Sequence, residues 1–288
     1  MNYQAPTSLD AAVDILAGAS GDCNVLAGGT ELLVRLNSEM IAPDTIVDIK
    51  RIESLRTITR EEDGGWRIGA AVSSAEMGEH QELAAAWPGV VEAAALIGST
   101  QVQGRATVAG NLCNASPAAD SVPAMVAAGA IARIAGPGGI RDLPVEKLPT
   151  GPGRTALERG ELVASIVLPP RLPRSGDAYL RFTPRTEMDI AVAGCGVWLQ
   201  LDEEGAISDA RVALGAVAPT VLLVAEAAHA LRGTHMRDGA QQQLEAVCSA
   251  AARPITDKRG TEYFRSHVVG VLARRAACIA YQRAGGAA

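Results

Sequence analysis

The chain has 288 residues, of which 48% are hydrophobic and 20% charged, a globular composition long enough for one large domain or two ordinary ones. A net charge of −6 gives no electrostatic support to nucleic-acid binding, though it leaves room for a local basic pocket holding a small anion. Five cysteines with no C-x-x-C pair argue against a disulfide framework, a zinc site or an iron–sulfur cluster in this chain, and with no export signal and no membrane-length apolar run, a cytoplasmic protein is expected.

In chain order, Leu9 to Leu16 reads as a helix capped by Ser8, with Leu9, Ala12, Val13 and Leu16 on one face. A strand over Asn24 to Ala27 runs into Gly28-Gly29-Thr30, and a helix over Glu31 to Leu36 follows with Thr30 as its cap. Thr45 to Ile49 is a second strand. Arg56 to Arg60 and Trp66 to Ala70 flank Asp63-Gly64-Gly65, a hairpin signal. Helical stretches cover Ser74 to Trp87 and Pro88 to Ile97, the latter with proline at a helix start. Residues 98 to 120 have no clean period and few charges, which predicts a loop lying against something. A helix over Ser121 to Gly129, two strands within Ile131 to Val145 around Gly136 to Gly139, and a strand over Glu161 to Leu168 close this half.

The proline-rich run Leu168 to Gly176 is the best linker in the sequence, dividing residues 1–172 from 177–288. Beyond it, long strands over Ile190 to Leu201 and Ile207 to Val217 join across Asp202 to Gly205. Helices follow over Val221 to Arg232, Asp238 to Arg253 and Gly260 to Arg283, the pattern of an α+β domain.

G-x-G-x-x-G, a P-loop, H-E-x-x-H and G-x-S-x-G are all absent, and the four histidines are scattered. Two segments carry the remaining chemistry. Val25-Leu26-Ala27-Gly28-Gly29-Thr30-Glu31-Leu32 leaves a strand, turns through two glycines and enters a helix, presenting free N–H groups to an anion without a Cβ in the way. The same Gly-Gly pair also serves a plain strand–turn–helix corner. Thr107-Val108-Ala109-Gly110-Asn111, followed by Asn114, Ser116 and Asp120, crowds polar groups among small residues, as a tightly held cofactor requires. It reads equally as a buried, self-capping loop. Together, two such loops can grip the two phosphates of a dinucleotide.

With these residues the sequence resembles the FAD-binding subunits of the xanthine dehydrogenase and carbon monoxide dehydrogenase family, over nearly its whole length. Ala27-Gly28-Gly29-Thr30 is similar to the family's first FAD loop. Thr107 to Asn111 is similar to the second, usually written T-I-G-G-N, with Gln101-Val102-Gln103 leading in as Q-I-R does. Asn114 to Asp120 resembles the tail after that loop, Leu162 to Ile166 the strand closing the flavin domain, and Asp189-Ile190-Ala191 the D-I-A of the C-terminal domain.

The resemblance implies an α+β fold. An N-terminal FAD domain of two α/β subdomains, like that of vanillyl-alcohol oxidase, would precede a C-terminal antiparallel sheet with helices. It implies residues 25 to 32 and 107 to 111 around the pyrophosphate and Asp120 near the flavin. Ile97 would make an apolar contact, Leu162 and Val163 would pack on the cofactor, Ile190 would cover the isoalloxazine, and Arg181 would approach it. Ser116 belongs to the same set. It also implies partners: a molybdopterin-binding large subunit and a small subunit with [2Fe–2S] clusters, in a dimer of heterotrimers that passes electrons through FAD to an external acceptor. No catalytic acid, base or nucleophile and no metal ligand is assigned to this chain.

Two departures stand out: Ala109 replaces the first glycine of the second loop, and Gln103 stands where arginine is common. The cysteine-bearing insertion of the benzoyl-CoA reductase branch is missing. The alternatives are a stand-alone flavin oxidase of the vanillyl-alcohol oxidase type, which needs its own substrate pocket, and a non-catalytic assembly subunit with degenerate loops, for which Ala109 is the hint.

Overall fold

In the computed structural model, which describes residues 1–286, the chain builds three sheets of three, five and four strands plus a two-stranded ribbon. The last two residues of the expected C-terminal domain lie outside the described residues.

The first unit comprises β1 (Asn2–Gln4), α1 (Leu9–Gly18), β2 (Cys23–Leu26), α2 (Leu32–Asn37) and β3 (Thr45–Asp48), with strand order β1-β3-β2, all parallel. The Ser8 hydroxyl accepts from the Ala11 N–H, and α1 buries Ala12, Val13 and Leu16, as their spacing predicts.

The second unit starts with the hairpin β4 (Ile58–Arg60) and β5 (Trp66–Gly69), then runs through α3 (Ser74–Glu79), α4 (Gln81–Ala86), α5 (Pro88–Ala94), α6 (Thr100–Gln103), α7 (Val108–Cys113) and α8 (Ser121–Ala127). Strands β6 (Ile131–Gly136) and β7 (Gly139–Pro144), the ribbon β8 (Pro149–Gly151) and β9 (Arg154–Thr155), and β10 (Leu162–Leu168) complete it. β10 enters the middle of the sheet, antiparallel to both β5 and β6 in the order β4-β5-β10-β6-β7. Its side chains are therefore covered on both faces.

The third unit is an antiparallel sheet in sequential order: β11 (Ser175–Phe182), β12 (Ala193–Leu201), β13 (Ile207–Gly215) and β14 (Leu222–Leu223). Helices α9 (Ala225–Leu231), α10 (Asp238–Ala251) and α11 (Glu262–Arg283) follow it. One apolar core runs through the first and second units, including Ala12, Val13, Leu16 and Val47 of the first, and takes in Tyr179, Trp198 and Ala213 from the third; the other lies between the third sheet and its helices.

Four local expectations are corrected. The predicted loop over residues 98 to 120 contains α6 and α7, four and six residues long, too short to display a helical period. The stretch Ser74 to Trp87 breaks at His80, whose Nδ1 accepts from the Leu83 N–H at 3.2 Å and so caps a second helix. Ser175 and Gly176, read as the end of the linker, open a full strand that runs to Phe182, and the strand expected from Ile190 begins only at Ala193.

Candidate functional site

The first glycine segment leaves the end of β2. Gly29 has φ +79°, a left-handed conformation that an L side chain rarely adopts. Leu26, buried under the turn, packs its Cδ1 where a Cβ on Gly29 would be, 2.8 Å away. Val25 and Ala27 pack partly against the core, whereas Thr30 and Glu31 are exposed and Leu32 half-buried. The N-cap of α2 is Glu31, with no side-chain cap, so the expected capping by Thr30 does not occur. Leu33 N–H turns back to the Gly29 carbonyl at 3.0 Å. Among the described residues, the N–H groups of Gly28, Gly29, Thr30 and Glu31 have no protein acceptor.

The second segment opens α7. Thr107 caps it, its Oγ1 accepting from the Gly110 N–H at 2.9 Å, while the Val108 and Ala109 N–H groups have no protein acceptor among the described residues. Asn111 Oδ1 accepts from the Ser121 hydroxyl at 2.7 Å and the Ser121 N–H at 3.3 Å, tying α7 to the start of α8. Ser116 turns its hydroxyl to the Ala118 N–H.

The two segments meet. A Cβ on Gly28 would overlap the Arg105 carbonyl oxygen and come within 3.1 Å of Ala106 Cα, so the first glycine turn lies flush on the backbone leading into Thr107. The Ala106 carbonyl is held in turn by the Ser74 N–H at 2.8 Å. Two clusters of amide donors without a protein acceptor among the described residues therefore sit side by side, with no Cβ at Gly28 to hold them apart. That donor set and that cradle fit a diphosphate.

Ala109 does not intrude. Its φ is not positive, it lies inside α7, and it is 3% exposed, packed in the core with Val108 and Leu112. The methyl that departs from the family pattern is buried in the core packing.

Asp120, at the head of α8 and 8% exposed, has both carboxylate oxygens engaged by β11. Tyr179 OH donates to Oδ1 at 3.1 Å and Arg181 Nη1 to Oδ2 at 2.6 Å. Burial pushes the Asp120 carboxyl up to about 6, against the opposing pull of Arg181 and Tyr179. Tyr179 and Arg181, two apart on a strand, share one face. Sequence reasoning singled out Asp120 and Arg181 separately; the fold makes them one ion pair across the boundary between second and third units.

Ile97 is half-buried beyond α5, and the neighbouring Gly98 carbonyl accepts from the Met188 N–H at 3.4 Å. The loop carrying Ile190, which is 52% exposed, thus reaches back to the Ile97 turn. Leu162 and Val163 are 1% and 4% exposed at the start of β10, which packs against α7 beneath the second loop.

Sequence reasoning missed Lys50 and Tyr179. Lys50 lies past the end of β3, and its Nζ stands 3.1 Å from the Ala27 carbonyl oxygen. Its only signal was the parallel pairing of the two short predicted strands, which sets Leu26 opposite Asp48. An open cavity of about 830 Å³ in the third unit, lined by Arg174, Glu203, His235 and Tyr281 among others, touches neither glycine segment. No helix among the described residues is long and apolar enough to cross a membrane.

Comparison with known proteins bears on this arrangement. The model for the FAD binding domain in molybdopterin dehydrogenase matches residues 1–171, and that for the CO dehydrogenase flavoprotein C-terminal domain matches residues 178–279. The chain is 31% identical over 290 residues to a xanthine dehydrogenase FAD-binding subunit of Escherichia coli O157:H7, covering 99% of this chain and 97% of the relative. It is 32% identical over 281 residues to the carbon monoxide dehydrogenase medium chain of Hydrogenophaga pseudoflava, covering 98% and 97%. It superposes on a chain of the reconstituted CO dehydrogenase from Oligotropha carboxidovorans with a TM-score of 0.93 and 31% identity, covering 98% of each chain.

Proposed function

The chain belongs to the family of FAD-binding subunits of molybdopterin dehydrogenases, and from that premise we propose that it holds FAD between its two glycine segments as the flavin-bearing oxidoreductase subunit of a larger complex. The observation that carries the reading is the contact of Gly28 with the Arg105–Ala106 backbone, which sets two groups of free amide donors against one another. When bound, FAD would accept electrons from [2Fe–2S] clusters of a small subunit, themselves reduced at the molybdopterin site of a large subunit, and deliver them to an external acceptor.

The chain's own residues bind and orient. Gly28, Gly29, Thr30, Val108 and Ala109 offer main-chain N–H groups to the diphosphate. Thr107 and Asn111 fix the second segment from within. On this reading the buried Asp120–Arg181 ion pair would lie near the flavin, and the Ile190 loop, bridged to Gly98 by Met188, would cover one face of the isoalloxazine. The domain division at residues 172 to 177 and a dimer of heterotrimers belong to the same proposal. The buried methyl of Ala109 favours an intact second loop over a degenerate one.

The test is purification of the complex through a tag on this chain. Stoichiometric FAD by absorbance, with molybdenum and iron in the co-purifying subunits, is the expected result. A complex that carries no flavin after incubation with FAD rejects the reading. Turnover of an organic substrate by this chain alone would favour the stand-alone oxidase.

A further inference from the structure

Behind the first glycine segment runs a chain of charges that the flavin reading does not use. Lys50 Nζ lies 3.1 Å from the Ala27 carbonyl oxygen and 2.8 Å from Asp48 Oδ1. Asp48, 6% exposed, is held on its other oxygen by the Tyr3 hydroxyl at 2.5 Å, and its Oδ1 also takes the Lys50 N–H at 3.0 Å. The parallel ladder produces this meeting: Asn24↔Ile46 through Leu26↔Asp48 bring β2 and β3 off the sheet together, and Gln4↔Val47 lays β1 alongside.

The Ala27 carbonyl and the Gly28 N–H belong to one planar trans peptide, so they point in opposite directions. A donor fixed on that oxygen therefore fixes the direction of that N–H. On its other flank the Gly28 Cα lies close against the Arg105 carbonyl, with no space for a Cβ. Glycine peptides in an open turn flip freely; this one has a donor fixed on its carbonyl oxygen.

We propose that Lys50 is a positioning residue for the cofactor diphosphate: its ammonium, aimed by Asp48 and Tyr3, locks the Ala27–Gly28 peptide so that the Gly28 N–H is presented on the side away from Lys50. The assignment rests on the reading that FAD binds these loops. An ordinary surface ion pair is worth little. Here the acceptor carboxylate is buried and the second acceptor is a main-chain carbonyl of the loop itself. The ammonium has three protons and the side chain is 27% exposed, so Asp48 and the Ala27 carbonyl take two donors and the third is left to solvent.

The experiment uses the full-length chain in its complex, stripped of flavin and titrated with FAD, comparing wild type with Lys50→Met, Lys50→Arg and Tyr3→Phe. Lys50→Met is expected to raise the FAD Kd about 10- to 100-fold, the range for a hydrogen bond to a charged group. Lys50→Arg should recover to within about threefold, and Tyr3→Phe should fall between. The ³¹P resonances of bound FAD should shift in Lys50→Met while the melting temperature of the flavin-free chain changes by less than about 4 °C. An unchanged Kd in Lys50→Met overturns the proposal and leaves the flavin reading standing. A weakened Kd that tracks a lowered melting temperature and is not restored by arginine also overturns it, since Lys50 then serves the fold alone. A wild-type chain that binds no FAD overturns both.

Discussion

Asp120 is where a single residue has a measurable consequence. Its carboxyl holds a proton in the folded chain up to about pH 6, against 3.8 when exposed, because burial outweighs Arg181 and Tyr179. Between those values the native state binds more protons than the unfolded one, so this group makes stability fall as pH rises. Two pH units at about 1.4 kcal/mol each set the scale at about 3 kcal/mol. Asp120→Asn should flatten the slope of unfolding free energy against pH between about 4 and 6, read from denaturant melts, even though the unpaired Arg181 lowers stability throughout. An unaltered slope would mean that Asp120 does not titrate there. Ala109 gives the complementary case. Ala109→Gly restores the family's loop pattern but puts glycine inside a helix, so it should cost about 1 kcal/mol and leave FAD affinity unchanged within about twofold. A gain in affinity from this change would mean that the methyl had been obstructing the phosphate.

At the scale of elements, the two glycine segments succeed because a turn and a helix start press together at Gly28. Gly28→Ala drives a Cβ into the Arg105 carbonyl, and a backbone atom cannot give way as a flexible side chain would. FAD affinity should fall about 5- to 150-fold, the effect of 1–3 kcal/mol of overpacking spent at the site. Gly138→Ala, in a hairpin with nothing near its Cβ, is the control that flavin titration should find unaffected. These loops were legible in the sequence because their glycines and hydroxyls sit at chemically telling positions. β11 was not. Ser175 to Ala178 meets α5 on one side, where Gly89 admits Asp177 and Ala178, and α11 on the other, where Gly176 abuts the Ala280 carbonyl. A strand covered on both faces loses the two-residue alternation by which strands are recognised. With β11 unread, Tyr179 could not be seen as the partner of Asp120, and the site remained a set of separate residues. Lys50 escaped for a related reason: its role depends on which strands pair, and three- and four-residue strands carry no register in their sequence.

For the molecule as a whole, the question is whether the FAD-domain half and the sheet-and-helix half behave as two bodies. Interfaces between domains of one chain are usually polar and permit relative motion. This one is built otherwise. Pro123 of α8 leaves no space for a Cβ at Gly196 or Gly215, so the helix lies directly on β12 and β13. The Pro117 carbonyl accepts from the Ala216 N–H at 2.8 Å, Arg211 donates to the Val126 carbonyl at 2.9 Å, and Arg283 of α11 pairs with Glu92 and donates to the Asp177 carbonyl at 2.8 Å. Trp198 and Ala213 of the C-terminal sheet belong to the core of the other half. A shared core makes opening one half costly to both, so unfolding should be one cooperative transition, with far-UV circular dichroism and tryptophan fluorescence coincident. Gly196→Ala should lower that single midpoint by the equivalent of about 1–3 kcal/mol, because it separates α8 from the sheet. It should weaken FAD as well, since α8 begins at Ser121, to which Asn111 of the second loop is bonded. Two resolved transitions, or a variant that destabilises the C-terminal half while the flavin stays as tightly bound as before, would show that the halves are only tethered.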